Sequence, residues 1–210
     1  MKEKSLVHLK NAIARKPEIV KCYDDMILAT KTIVNSYKKG GKLLLCGNGG
    51  SMSDSLHFSS ELLNAFKLRR PVKDKKFGKK LEDEKLCSML QESVPSITLG
   101  SDISFLSSYS NDRDYEYAFA QQVYSLAKEN DVLIALSTSG TSKNVVNAVK
   151  VAKALGIKII AFTGKKAAPV NEMADVKLMA ASTEAYEIQE MHLPMYHGIA
   201  LAVEEELFGE

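Results

Sequence analysis

Five short apolar runs constrain this chain more than any other feature. They occupy residues 43–46 before Gly47, 96–99 before Gly100, 132–136 before Ser137, 157–162 before Thr163-Gly164, and 176–179. Most are continuously apolar rather than alternating, which is how strands read when both faces of a parallel sheet are covered. Helical patterns lie between them. Residues 142–155, SKNVVNAVKVAKAL, put Val145, Val146, Val149 and Ala152 on one stripe with lysines opposite. Residues 115–127 read similarly, and 51–66 follow the first run directly. Residues 3–38 are helical with Pro17 as the break, because proline removes a donor and clashes with the preceding turn. A long helix spans about residues 184–207, and Pro194 inside it predicts a kink. The order specifies an α/β fold: a doubly wound three-layer sandwich, with a five-stranded parallel sheet, helices on both faces, N-terminal helices and a long C-terminal helix.

At 210 residues the chain suits one domain. Residues 67–92 break the rhythm and read as a charged, partly helical insertion before the second strand, with weak periodicity only over 79–90. No apolar run approaches the roughly 20 residues that span a bilayer, so no membrane partner is expected. The first residues lack the apolar middle of a secretory leader, and Cys22, Cys46 and Cys87 cannot all pair. A cytoplasmic location is the expectation. Net charge is +2, which gives no global case for nucleic acid. Locally, residues 67–80 carry eight Lys/Arg against one Asp. That block is either a solvated loop or a clamp for an anion. Phe77 is the only aromatic within it, so nucleic-acid binding is not expected.

Two turns follow strands and can hold an anion. Residues 47–51, Gly-Asn-Gly-Gly-Ser, lead from the first strand into a helix. Glycines let backbone approach a ligand, and a helix N-terminus offers free amides. The spacing is neither a P-loop nor a dinucleotide fingerprint, and alone it is also compatible with a plain tight turn. The second turn, Ser137-Thr138-Ser139-Gly140-Thr141-Ser142, packs five hydroxyls into six residues at a helix start. A helix cap needs one. Hydroxyls and amides without arginine suit a phosphomonoester held without metal, and a capped turn with spare polar groups is the alternative.

His57 and Glu61 stand four apart on the helix after the glycine turn and share one face. Such a pair is either an ion pair or half of a site. On the last helix, Gln189 and His197 lie eight residues apart, about 12 Å along the axis. A phosphate cradle with a Glu and a His suits proton transfer beside a carbonyl. His57, Glu61, Gln189 and His197 together would also suit a zinc-like divalent ion.

The motifs CGNGGS, HFxxE, DVLIALSTSGTSKNV and IQEMHxxxxH, in this order and spacing, resemble the phosphoheptose isomerases of the sugar isomerase (SIS) family. The resemblance covers about residues 20–207 apart from the insertion. It implies isomerisation of sedoheptulose 7-phosphate to D-glycero-D-manno-heptose 7-phosphate for bacterial surface heptose. It also implies a homotetramer with active sites at subunit interfaces and, in several members, zinc. On the matching positions, Asn48, Gly49, Gly50 and Ser51 are implied to bind substrate, as are Asn111, Asp112 and Gln189. Ser137, Thr138, Ser139 and Ser142 are implied as the phosphate cradle. Glu61 is implied as general base and His197 as its acid partner. His57, Glu61, Gln189 and His197 are implied as zinc ligands. Two family arginines are replaced, by Ala65 and Glu187. An isomerase of another phosphosugar therefore remains an alternative. So does a non-catalytic relative that binds the bacterial replication initiator, although that relative lacks the counterparts of Glu61 and His197.

Overall fold

The structure, a computed structural model, describes every residue from Met1 to Glu210. Helices α1 (Glu3–Arg15) and α2 (Tyr23–Lys38) flank a 3-10 segment, Pro17–Cys22. Pro17 opens that segment at a position where no backbone donor is needed. Strand β1 (Leu43–Cys46) leads into α3 (Gly50–Leu63), followed by two short helices, α4 (Lys75–Leu81) and α5 (Glu84–Met89). Next come β2 (Ser96–Thr98), α6 (Ile103–Asp112), a 3-10 turn at Tyr115–Tyr117 and α7 (Ala118–Leu126). The chain finishes with β3 (Val132–Ser137), α8 (Lys143–Ala154), β4 (Lys158–Thr163), α9 (Pro169–Met173), β5 (Val176–Met179) and α10 (Ala185–Phe208).

The five strands form one sheet in the order β2-β1-β3-β4-β5, and every pairing is parallel. Successive strand residues point to opposite faces. Leu43, Leu45, Ile134 and Phe162 therefore enter the core shared with α1, α2, α3 and α10. Leu44, Cys46, Leu133 and Ala161 enter the core shared with α7, α8 and α9. This is the three-layer arrangement that the unbroken apolar runs require. Residues such as Phe58, Phe119 and Phe162 are buried completely or nearly so, each contributing roughly 1.5–3 kcal/mol.

Strand order reverses beside β1. The helix after β1 packs on one face and the helix after β3 on the other. Between the carboxyl ends of β1 and β3 lies the crevice where open α/β sheets bind ligands. Helix α10 runs unbroken through Pro194 and is buried along most of its length against α1, α2 and α3.

In the charged stretch, Asp74 and Asp83 cap α4 and α5, and Glu82 between them adopts a left-handed conformation. Neither helix buries a residue. The excursion closes on itself: Pro71 pairs with Gln91, and the Glu92 N–H donates to the Arg70 carbonyl at 2.7 Å.

Candidate active site

The β1 turn is shaped by its glycines. Gly49 has φ +53° and ψ −122°, a conformation closed to residues with a side chain. At Gly50 the constraint is spatial: a Cβ would lie 2.5 Å from Nε2 of Gln189 on α10. Asn48 sits at the switch point and exchanges two amide hydrogen bonds with Asn144 of α8, at 2.9 and 2.8 Å. The Tyr115 hydroxyl donates to Asn48 Oδ1 at 2.7 Å. The two ligand-type turns are thus fastened to one another across the crevice. Ser51 is buried at the start of α3.

In the β3 turn, Ser142 is the N-cap of α8, but its hydroxyl makes no cap bond. It accepts from Ser137 Oγ at 3.3 Å, and Ser137 Oγ accepts from the Gly140 N–H at 3.1 Å. Ser139 Oγ accepts from both the amide and the hydroxyl of Thr141. Hydroxyls held by one another, not spent on capping, remain free to turn toward an anion at the helix N-terminus. Thr138, Ser139 and Thr141 line a hollow of about 270 Å³ with Lys165, Lys166 and Ser182. Lys165 and Lys166 are the cations on this hollow, and sequence reading did not single them out.

The third part is the seam between α3 and α10. Gly50, Asp54, His57 and Glu61 recur at helical spacing along the face that meets Gln189, Tyr196 and His197. His57 Nε2 lies 3.1 Å from Glu61 Oε1 and 3.4 Å from His197 Nε2. On its other side, His57 Nδ1 is 2.9 Å from the Tyr196 hydroxyl, which reaches Asp54 Oδ1 at 3.4 Å. Metal ligation at His57 Nε2 requires one proton assignment: Nδ1–H donates to Tyr196, and Tyr196 O–H donates to Asp54. Burial and the charges of Asp54 and Glu61 raise the Tyr196 phenol, so it keeps that proton. Burial also raises the Asp54 carboxyl. With this assignment His57 Nε2 turns a lone pair toward the Glu61 carboxylate. Burial, His57 and Arg15 lower the His197 imidazole, which favours its neutral form.

Three acceptors converging in this way need a proton or a cation among them. The ligand atoms of His57, Glu61 and His197 all lie within 4.8 Å of one another, which fits the nitrogen and oxygen donor set of a zinc-like ion with an open position. The Gln189 amide lies against Gly50. Three of the four residues expected to hold metal are assembled here, and Gln189 borders the glycine turn. Asn111 and Asp112 end α6, exposed and hydrogen-bonded to each other at 3.0 Å, with no hydrogen bond to the seam or to either turn.

Ala65 follows α3, and Glu187 is occupied by the hydroxyls of Ser182 and Tyr186. Sequence reading missed Asp54. The signal for Asp54 was its place on the Gly50–His57–Glu61 stripe. His192 is fully buried and donates from Nε2 to the Thr163 carbonyl at 3.2 Å; burial pushes its pKa down to about 4. It is a neutral tie between α10 and β4.

Two family models, both described as the SIS domain, match residues 105–203 and 10–94. With the sheet order and the two turns, these define the class: a SIS-domain protein. A phosphoheptose isomerase of Aliarcobacter butzleri is 37% identical over 203 residues, 95% of this chain and 96% of that one. The structure of a phosphoheptose isomerase from Francisella tularensis superposes with a TM-score of 0.76 at 30% identity, covering 93% of this chain and 94% of that one. For the enzyme from Neisseria gonorrhoeae the TM-score is 0.75 at 28% identity, covering 95% and 96%. The chain belongs to the phosphoheptose isomerase family, and its relatives there are enzymes.

Proposed function

We propose that this protein interconverts sedoheptulose 7-phosphate and D-glycero-D-manno-heptose 7-phosphate, as its resemblance to the phosphoheptose isomerases implies, in the supply of heptose for bacterial surface glycan. One observation carries the reading: a carboxylate from α3 and an imidazole from α10 meet around His57, in a chain that also carries a hydroxyl-rich strand-end turn suited to phosphate. In the forward direction the Glu61 carboxylate removes a proton from the carbon beside the ketose carbonyl. The proton of that carbon's hydroxyl passes to the former carbonyl oxygen by way of His197, giving an enediolate. Glu61 then returns its proton to the second carbon, and the aldose results. Each general acid or base step is worth roughly 10²–10⁴ in rate. Ser137, Thr138, Ser139 and Ser142 bind the phosphate, and Asn48, Gly49, Gly50, Ser51 and Gln189 bind the sugar. Asn111 and Asp112 complete that set by resemblance to the family.

His57, Glu61 and His197 would hold zinc, with Gln189 as the family's fourth ligand; zinc would polarise the sugar oxygens as a Lewis acid. The reading includes assembly as a homotetramer. Purified protein incubated with sedoheptulose 7-phosphate is expected to yield the aldose product. Turnover of another ketose phosphate, with none of this one, would move the assignment to a different phosphosugar. That second reading draws on Ala65 and Glu187, which stand where relatives carry arginine.

A further inference from the structure

Beyond the seam, α3 and α10 are joined by a buried ion pair that the chemistry above does not use. Arg70 and Glu204 are 2% and 1% exposed, and the Arg70 Nη2–Glu204 Oε1 distance is 2.6 Å. Arg70 Nε also donates to Oε1 at 2.8 Å. The remaining guanidinium donors turn to the end of α3: Nη1 donates to the Leu62 carbonyl at 3.0 Å and Nη2 to that of Glu61 at 3.5 Å. Glu204 in turn accepts the backbone N–H groups of Phe66, Lys67 and Leu68 at 2.9, 2.9 and 3.1 Å. The Arg70 guanidinium also lies 4.8 Å from the centre of the Phe208 ring.

Arg70 therefore satisfies the last carbonyls of the helix that carries Glu61, while its partner belongs to the helix that carries His197. The same carboxylate folds residues 66–68 back so that the Phe66 ring packs on His197, with centroids 5.4 Å apart. A buried pair of this kind contributes little net stability beside an apolar pair of similar volume, yet it fixes geometry. A catalytic constellation misplaced by 1 Å loses about 10²-fold in rate.

We propose that Arg70 and Glu204 are positioning residues, which set the distance and angle at which Glu61 meets His197 and hold Phe66 as the wall behind that imidazole. The proposal rests on the isomerase reading for its kinetic arm and not for its metal arm. The test compares wild type, Arg70→Lys and the uncharged pair Arg70→Met/Glu204→Gln. Measurements are thermal melting, circular dichroism, kcat and KM for sedoheptulose 7-phosphate, and zinc affinity by competition with a chromophoric chelator. The expected result for the double variant is a native spectrum, kcat down tenfold or more, KM within threefold, and zinc affinity weakened about tenfold. Arg70→Lys, which keeps the charge and loses the fork, should fall between the two. A purely structural role would lower the melting temperature alone. A folded double variant with wild-type kcat and zinc affinity overturns the proposal. If the double variant does not fold, wild-type values in Arg70→Lys do the same. If wild type turns over no heptose phosphate, the isomerase reading fails, and the zinc comparison still decides the positioning role.

Discussion

At the scale of single residues, the seam assigns separate tasks to groups that touch. Glu61→Gln keeps shape and removes the base, so kcat should fall by about 10²–10⁴ with the fold intact. Full turnover in that variant would exclude Glu61 as the base. Tyr196→Phe is a finer probe, because it deletes only the hydroxyl between His57 Nδ1 and Asp54 Oδ1. Partners that orient a ligating imidazole are typically worth 10–100-fold in metal affinity or activity. Tyr196→Phe should therefore weaken zinc binding by that order, whereas equal affinity would reduce the relay to packing. A residue such as Tyr196 is hard to read from sequence. Its role depends on the rotation of α10 against α3, and no local pattern fixes that rotation. The position of Glu61 is easier, since a four-residue spacing places it beside His57 within one helix.

Among the elements, α10 and the charged excursion make different demands. His192 ties α10 to β4 from a fully buried position, where the charged imidazole is disfavoured by burial. Its pKa is about 4 in the folded protein against 6.5 when exposed, so the unfolded chain binds more protons between those values. Stability from this group is complete above about pH 6.5 and drains away as pH falls toward 4, a loss of about 3 kcal/mol. Urea melts of wild type and His192→Asn should show that much less pH slope in the variant; parallel curves would contradict it. The excursion is the reverse case. With no buried residue in α4 or α5 and its ends paired at Pro71 and Gln91, replacing residues 73–89 by a two-residue turn should leave the melting temperature within a few degrees. A collapse of the fold would show that the excursion is structural. Sequence reading located the five strands because buried apolar runs of β1, β3 and β4 are distinct from the helices around them. It did not foresee α6 or α9. Residues 103–112 bury no side chain, and α9 spans only Pro169–Met173, too short for a periodic signal. The basic block was visible as charge, but its two capped turns depend on Asp74 and Asp83, which look like ordinary loop acids until the backbone is seen.

For the molecule as a whole, the open question is what covers the outer side of the helix that carries the proposed base. Leu56 and Leu63 of α3 are 46% and 45% exposed, on the helix whose other stripe meets α10. Isolated exposed leucines are ordinary, but these border His57 and Glu61, themselves partly open to solvent. Asn111 and Asp112, which the family resemblance assigns to substrate, make no hydrogen bond to the seam or to either turn within one chain. Both facts have one physical resolution if copies of the chain pack so that one subunit's α6 end approaches another's crevice. In the proposed homotetramer the site would then be completed between subunits. Light scattering should give a mass near four times 23.1 kDa. Leu63→Lys, which places a charge on that face without touching the seam, should shift the mass downward and lower kcat together. A monomeric wild type that is fully active would show that one chain completes the site alone, and Asn111 and Asp112 would then have no part in binding the sugar.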